Sequence, residues 1–203
     1  MKLFDVVALV TDQHFGEQSL AIRAFLESMR LRVDYFRVVQ DRNVSGFFAD
    51  HAPRYDTTII FTHGTGPDEA PSIDFSVVTQ ANDDYSSSEG WSPTVIKLDP
   101  SSAESLVGGH GRGTLVTLSC GSGRPALADA LLQQGYDTVL GPTEPYWDSN
   151  AATLFAVTYF YGLLAEDRDY SEPYSMEEAL ELARGVDARF RFGPQSVAAY
   201  RRT

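Results

Sequence analysis

The chain has 203 residues, 43% hydrophobic and 22% charged, enough for one substantial core. Its formal net charge of −12 argues against non-specific nucleic-acid binding, which needs clustered Lys and Arg on phosphates. A single cysteine rules out an intramolecular disulfide and any multi-cysteine metal centre, and it fits a reducing, cytoplasmic setting.

The N-terminal Met1-Lys2-Leu3-Phe4-Asp5-Val6-Val7-Ala8-Leu9-Val10 is interrupted by Asp5. It is too short for a signal peptide or a bilayer span, so it reads as a first strand, Phe4 to Val10, and no membrane partner is expected. Ile22, Phe25, Leu26 and Met29 then mark a helix stripe, followed by a strand from Arg32 to Val39. The next apolar, β-branched run, Thr57 to Thr62, enters His63-Gly64 directly. From about residue 65 to 93 the chain shows little periodicity and many turn residues, which predicts an irregular loop. That loop is acidic: no Lys or Arg falls between Tyr55 and Ile96, whereas Asp56, Asp68, Glu69, Asp74, Asp83, Asp84 and Glu89 do. It reads either as a solvated surface or as a rim attracting a cationic substrate.

Asp99-Pro100-Ser101-Ser102 looks like a helix start, and Gly108-Gly109-His110-Gly111 ends that helix. Thr114 to Ser119 is a second buried-strand run, closed by Cys120-Gly121-Ser122-Gly123. Pro125 suits the first turn of a helix carrying Leu127, Ala130 and Leu131, before a strand from Thr138 to Gly141. Leu154, Val157, Thr158, Tyr161 and Leu164 mark another helix, and Ser175 with Glu178 forms a capping box opening a last one, Met176 to Ala183. Alternating strands and helices predict a three-layer α/β/α fold with a mostly parallel sheet, and residues 1–203 read as a single domain.

Parallel strands end on one edge, where α/β proteins place their ligands. His63 and Cys120 both follow such ends, so an imidazole and a thiol are expected on the same edge: a nucleophile beside a base. The bland reading of Cys120 is a buried structural thiol, and that of His63 a satisfied polar residue at a strand end. His14 and His51 have no comparable context, and His110 stays a minor alternative base.

In order and context, these residues resemble the caspase-like (clan CD) cysteine peptidases, a group that includes caspases, gingipains, clostripain and separase. They look closest to the bacterial CHAT-type domain. His63-Gly64 after an apolar strand matches the family's His-Gly. Leu118-Ser119-Cys120-Gly121-Ser122-Gly123 is similar to its nucleophile strand, and Ala126 to Gly141 resembles the helix, glycine turn and strand that follow. Glu144-Pro145-Tyr146-Trp147-Asp148 stands where many members carry a Trp-Pro-x-Asp-Asp stretch.

The resemblance implies that Cys120 attacks a peptide carbonyl, that His63 moves the protons, and that the Gly64 and Cys120 N–H groups hold the oxyanion. No cofactor and no metal are implied. The partners would be a peptide or protein substrate and, as for bacterial members, a sensor or activator protein. The alternative is a catalytically inactive caspase-like binding or scaffold domain.

Other cysteine and phosphate chemistries fit less well. A glutamine amidotransferase triad needs a histidine downstream of the nucleophile, and the last histidine is His110. Arg124 follows Cys120 too closely for a cysteine phosphatase loop. The Gly121-x-Gly123-Arg124 turn lacks both a Walker lysine and a dinucleotide spacing.

The acidic loop and Asp148 together predict cleavage after a basic residue, because a carboxylate holds arginine in a bidentate pair. Asp148 is equally placed to cap the helix that starts near Ser149, and both roles are compatible.

Overall fold

The computed structural model describes residues 6–65, 70–80, 91–165, 173–191 and 196–202. Its main sheet has six strands in the order β2-β1-β3-β7-β8-β9. These are β1 (Val6–Thr11), β2 (Arg32–Arg37), β3 (Thr57–Phe61), β7 (Thr114–Thr117), β8 (Thr138–Pro142) and β9 (Val197–Arg201). The first five run parallel, and β9 closes the sheet antiparallel to β8.

Both faces of this sheet are buried, and β3 and β8 are buried at every residue, as expected for strands covered on two sides. Along β1 the side chains alternate between two cores. Val7 and Leu9 join Ile22, Leu26, Phe155 and Tyr159 on one face, beneath α1 (Gly16–Ser28), α5 (Ser149–Leu164) and α6 (Met176–Val186). Ala8 and Val10 join Val44, Leu127, Leu131 and Val139 on the other, beneath α2 (Asp41–Gly46), α3 (Ala103–Val107) and α4 (Pro125–Gln133). The expected three-layer α/β/α architecture is therefore present. Three helix signals hold at residue level: Pro125 opens α4, Ser175 and Glu178 form the capping box of α6, and Gly108 ends α3 in the left-handed region at φ 59°. The stripe Leu154, Val157, Thr158, Tyr161 and Leu164 is instead not the buried face of its helix: Leu154 and Tyr161 are exposed, and α5 packs through Phe155, Tyr159 and Phe160.

The structure corrects the loop expected at about 65–93. Ile73–Gln80 (β5) and Trp91–Leu98 (β6) pair antiparallel, and the short strand β4 (His63–Gly64) adds to β5, making a second, three-stranded sheet. Ile73, Phe75 and Val77 turn inward onto the second core. Residues 66–69 and 81–90, which carry Asp68, Glu69, Asp83, Asp84 and Glu89, lie outside the described residues. Strand β9 was not anticipated from the sequence.

The segment after Cys120 is folded throughout. Gly123 N–H bonds the Pro142 carbonyl at 2.8 Å, and α4 and β8 follow at once. An active form is therefore expected to remain one intact chain, with no division into large and small subunits. Mass spectrometry of active protein checks this, and two stoichiometric fragments split between Gly123 and Trp147 would contradict it.

Candidate active site

The carboxyl ends of β1, β3 and β7 are tied together by hydroxyls. Thr11 Oγ1 donates to the Phe61 carbonyl at 2.9 Å, and Thr62 Oγ1 and Ser119 Oγ share a hydrogen bond at 3.1 Å. All four residues are buried, so this latching happens away from competing water. It fixes where the chain leaves each strand. His63 follows β3, and Cys120 follows β7 after Leu118 and Ser119.

The two segments are in direct backbone contact. A Cβ placed on Gly64 would fall 2.0 Å from the Cys120 carbonyl oxygen and 2.7 Å from its amide nitrogen. Only glycine permits that approach. A third segment joins them, because the Trp147 N–H donates to Cys120 Sγ at 3.2 Å and the Trp147 carbonyl faces the same thiol at 3.8 Å. The structure thus brings together His63-Gly64, Cys120 and Trp147-Asp148 on one sheet edge.

His63 is exposed, and Cys120 is half-buried against the first core. Burial pushes the Cys120 thiol up; the Trp147 N–H pulls it down and the Asp74 carboxylate pushes it further up. Asp74 is the β5 partner of His63, so the two side chains share a face of the small sheet. At neutral pH the thiol is expected to stay protonated. Its alkylation by iodoacetamide should be slower than that of a free thiol, with a midpoint shifted to higher pH than a free thiol shows. A midpoint below that of a free thiol would mean a thiolate stabilised by its neighbours. The linkage has the same sign. The unfolded thiol ionises first, so its contribution to stability is complete below the ordinary thiol range and fades as pH rises through the folded value.

Asp148 is exposed and N-caps α5, its Oδ1 accepting from the Asn150 and Ala151 N–H groups at 3.0 Å each. It also attracts Arg189, whose guanidinium is held chiefly by Asp187. The capping role is therefore formed. His110 is excluded as an alternative base. It is exposed beyond α3, before β7 begins, at the opposite edge of the sheet from Cys120.

The sequence reading gave no role to Asp12, His14 and Phe15. Asp12 has no exposed surface; Oδ1 accepts the His14 N–H at 2.9 Å and Oδ2 the Ser76 N–H at 3.1 Å. The Phe15 and His14 rings both meet the His63 ring edge-on, with centroids 4.7 and 5.0 Å away. The available signal was positional: Asp12 follows β1, so it had to lie on the edge that carries His63 and Cys120.

Among the described residues no group of His, Cys, Asp or Glu is arranged to hold a metal ion, and no helix is long and apolar enough to cross a membrane.

A mostly parallel sheet between helical layers, with a short antiparallel sheet at its carboxyl edge, is a caspase-like α/β fold. The crystal structure of the Drosophila initiator caspase Dronc matches it with a TM-score of 0.52 at 12% identity, covering 98% of this chain and 80% of that one. The likeness is one of fold. No protein-family model and no curated protein matches the chain.

Proposed function

We propose that the protein is a cysteine endopeptidase of the caspase-like, CHAT-type class, using a His63–Cys120 dyad in the cytoplasm. The observation that carries this reading is the backbone contact of Gly64 on Cys120, which sets an imidazole-bearing strand end against a thiol-bearing one. Cys120 attacks the peptide carbonyl carbon as its proton passes to His63, forming a tetrahedral oxyanion near the Gly64 and Cys120 N–H groups. Collapse to a thioester expels the amine, which takes the proton from His63. Water, deprotonated by His63, then attacks the thioester carbonyl; the C–S bond breaks, the acid product leaves, and His63 returns the proton to the Cys120 thiolate. A thiol kept protonated by burial suits this order, in which the base acts during attack rather than before it.

The reading includes a preference for Arg or Lys before the scissile bond. Asp148 follows the residue whose N–H reaches Cys120 Sγ, and Asp74 acts on the same thiol through space. Partners would be a peptide or protein substrate and an activating or sensing protein.

One observation favours the inactive scaffold. The thiol is already held between the Trp147 N–H and carbonyl and is pushed away from ionisation.

Labelling with a peptidyl electrophile separates the two readings. The peptidase is labelled at Cys120, and His63→Ala abolishes the labelling; a scaffold leaves both proteins unlabelled. A fluorogenic peptide panel then reads specificity. Cleavage after Asp, with none after Arg or Lys, would refute the basic preference while leaving the dyad intact. With basic substrates, Asp148→Asn and Asp74→Asn are each expected to lower kcat/KM about tenfold or more, since one charge-assisted hydrogen bond contributes about 1.5–3 kcal/mol.

A further inference from the structure

His63 stands at the end of a two-residue strand and is exposed, so its backbone alone does not fix the direction of its imidazole. The Phe15 and His14 rings supply that restraint through edge-on contacts at 66° and 62°. Phe15 is itself stacked on Phe61 of β3 at 4.8 Å and packs on the first core, so its position is set from below. His14 has no such foundation. Its side chain is 47% exposed, and what holds it is the fully buried Asp12: the carboxylate accepts the His14 backbone N–H, and His14 Nδ1 lies 3.7 Å from the same oxygen. The second Asp12 oxygen is bonded to Ser76 of β5, two residues beyond the strand partner of His63. One buried carboxylate therefore fixes His14 relative to the strand that carries His63's partner.

We propose that His14 is a positioning residue for the His63 imidazole, held in place by Asp12. The proposal rests on the reading of His63 as the base of the dyad. His14 touches the His63 ring and acts by limiting the directions in which the imidazole points. A catalytic group displaced by about 1 Å loses on the order of a hundredfold in rate, so loosening one of two lateral restraints should cost on the order of tenfold.

The test uses the full chain, with His14→Ala and His14→Phe compared with wild type. The Asp12 contact to the backbone survives both substitutions, so thermal midpoints should stay within about 2 °C, the scale of a surface change. On a cleaved fluorogenic peptide, His14→Ala is expected to lower kcat about tenfold with KM unchanged. His14→Phe, which keeps an aromatic edge, should recover most of it. The 1H–13C spectrum of the imidazoles gives a readout independent of turnover: the His63 ring signals should shift and broaden in His14→Ala and stay sharp in His14→Phe. Unchanged kcat and unchanged His63 signals in His14→Ala would overturn the proposal, as would a fall in kcat that His14→Phe does not recover. If wild type turns over no peptide and takes no peptidyl electrophile, the dyad reading fails and the positioning role falls with it. If wild type is active and His14→Ala is its equal, the positioning role alone fails.

Discussion

Cys120→Ala is expected to abolish peptide turnover, a fall of at least about a thousandfold, while leaving a folded protein. The side chain is half-buried, and its main polar contact is the Trp147 N–H, so truncation should cost about 1 kcal/mol. His63→Ala removes an exposed ring and two edge-on aromatic contacts, a loss of similar size in stability, yet its effect on turnover should match that of Cys120→Ala. Residues that act as a unit are strongly non-additive. The double variant is therefore expected to be no slower than either single variant. Two losses that multiply would mean that the groups work independently, and a Cys120→Ala protein keeping more than a tenth of wild-type turnover would remove the thiol from the mechanism.

The strands that carry His63 and Cys120 were legible because each is a short apolar run stopped by glycine, a signal that needs no partner to be read. Once the sheet is parallel, the shared edge follows from topology. The β5–β6 hairpin was hidden by composition. Ile73-Asp74-Phe75-Ser76-Val77 does alternate with period two, but it sits among acids and serines that read as loop. Strand β9 is short, and Val197, Ala199 and Arg201, which share one face, run from buried to exposed along it, so no period-two pattern marks an edge strand. The site's side-chain geometry was least legible. Trp147 reaches Cys120 across 27 residues and Asp12 reaches Ser76 across 64, and no local pattern encodes contacts of that range. Asp148 shows the converse. A local capping signal, read from its position before α5, is formed as expected.

Gly64→Ala is expected to damage both the fold and the site. The added carbon would lie 2.0 Å from the Cys120 carbonyl oxygen, 2.7 Å from its nitrogen and 2.8 Å from its carbonyl carbon. These are backbone atoms, so no side chain can rotate away. Either β4 lifts from the nucleophile turn or the turn itself moves. The turn is held by the Gly121 N–H bond to the Glu144 carbonyl at 2.7 Å and by the Gly123 bond to Pro142, so it resists. Overpacking against an unyielding wall costs about 3 kcal/mol or more, which for a domain of this size is about 6–12 °C in thermal midpoint. Turnover should fall further than stability explains, because either movement separates the His63 segment from the thiol. Gly16→Ala is the matched control. That position opens α1 and has nothing within 4 Å of the added carbon, so alanine should be neutral or stabilising by up to about 1 kcal/mol. The thermal midpoints of the two variants and their kcat on one peptide settle the matter. A Gly64→Ala protein with wild-type midpoint and wild-type turnover would show that β4 does not rest on the Cys120 backbone, and the proposed dyad would lose the contact on which it is built.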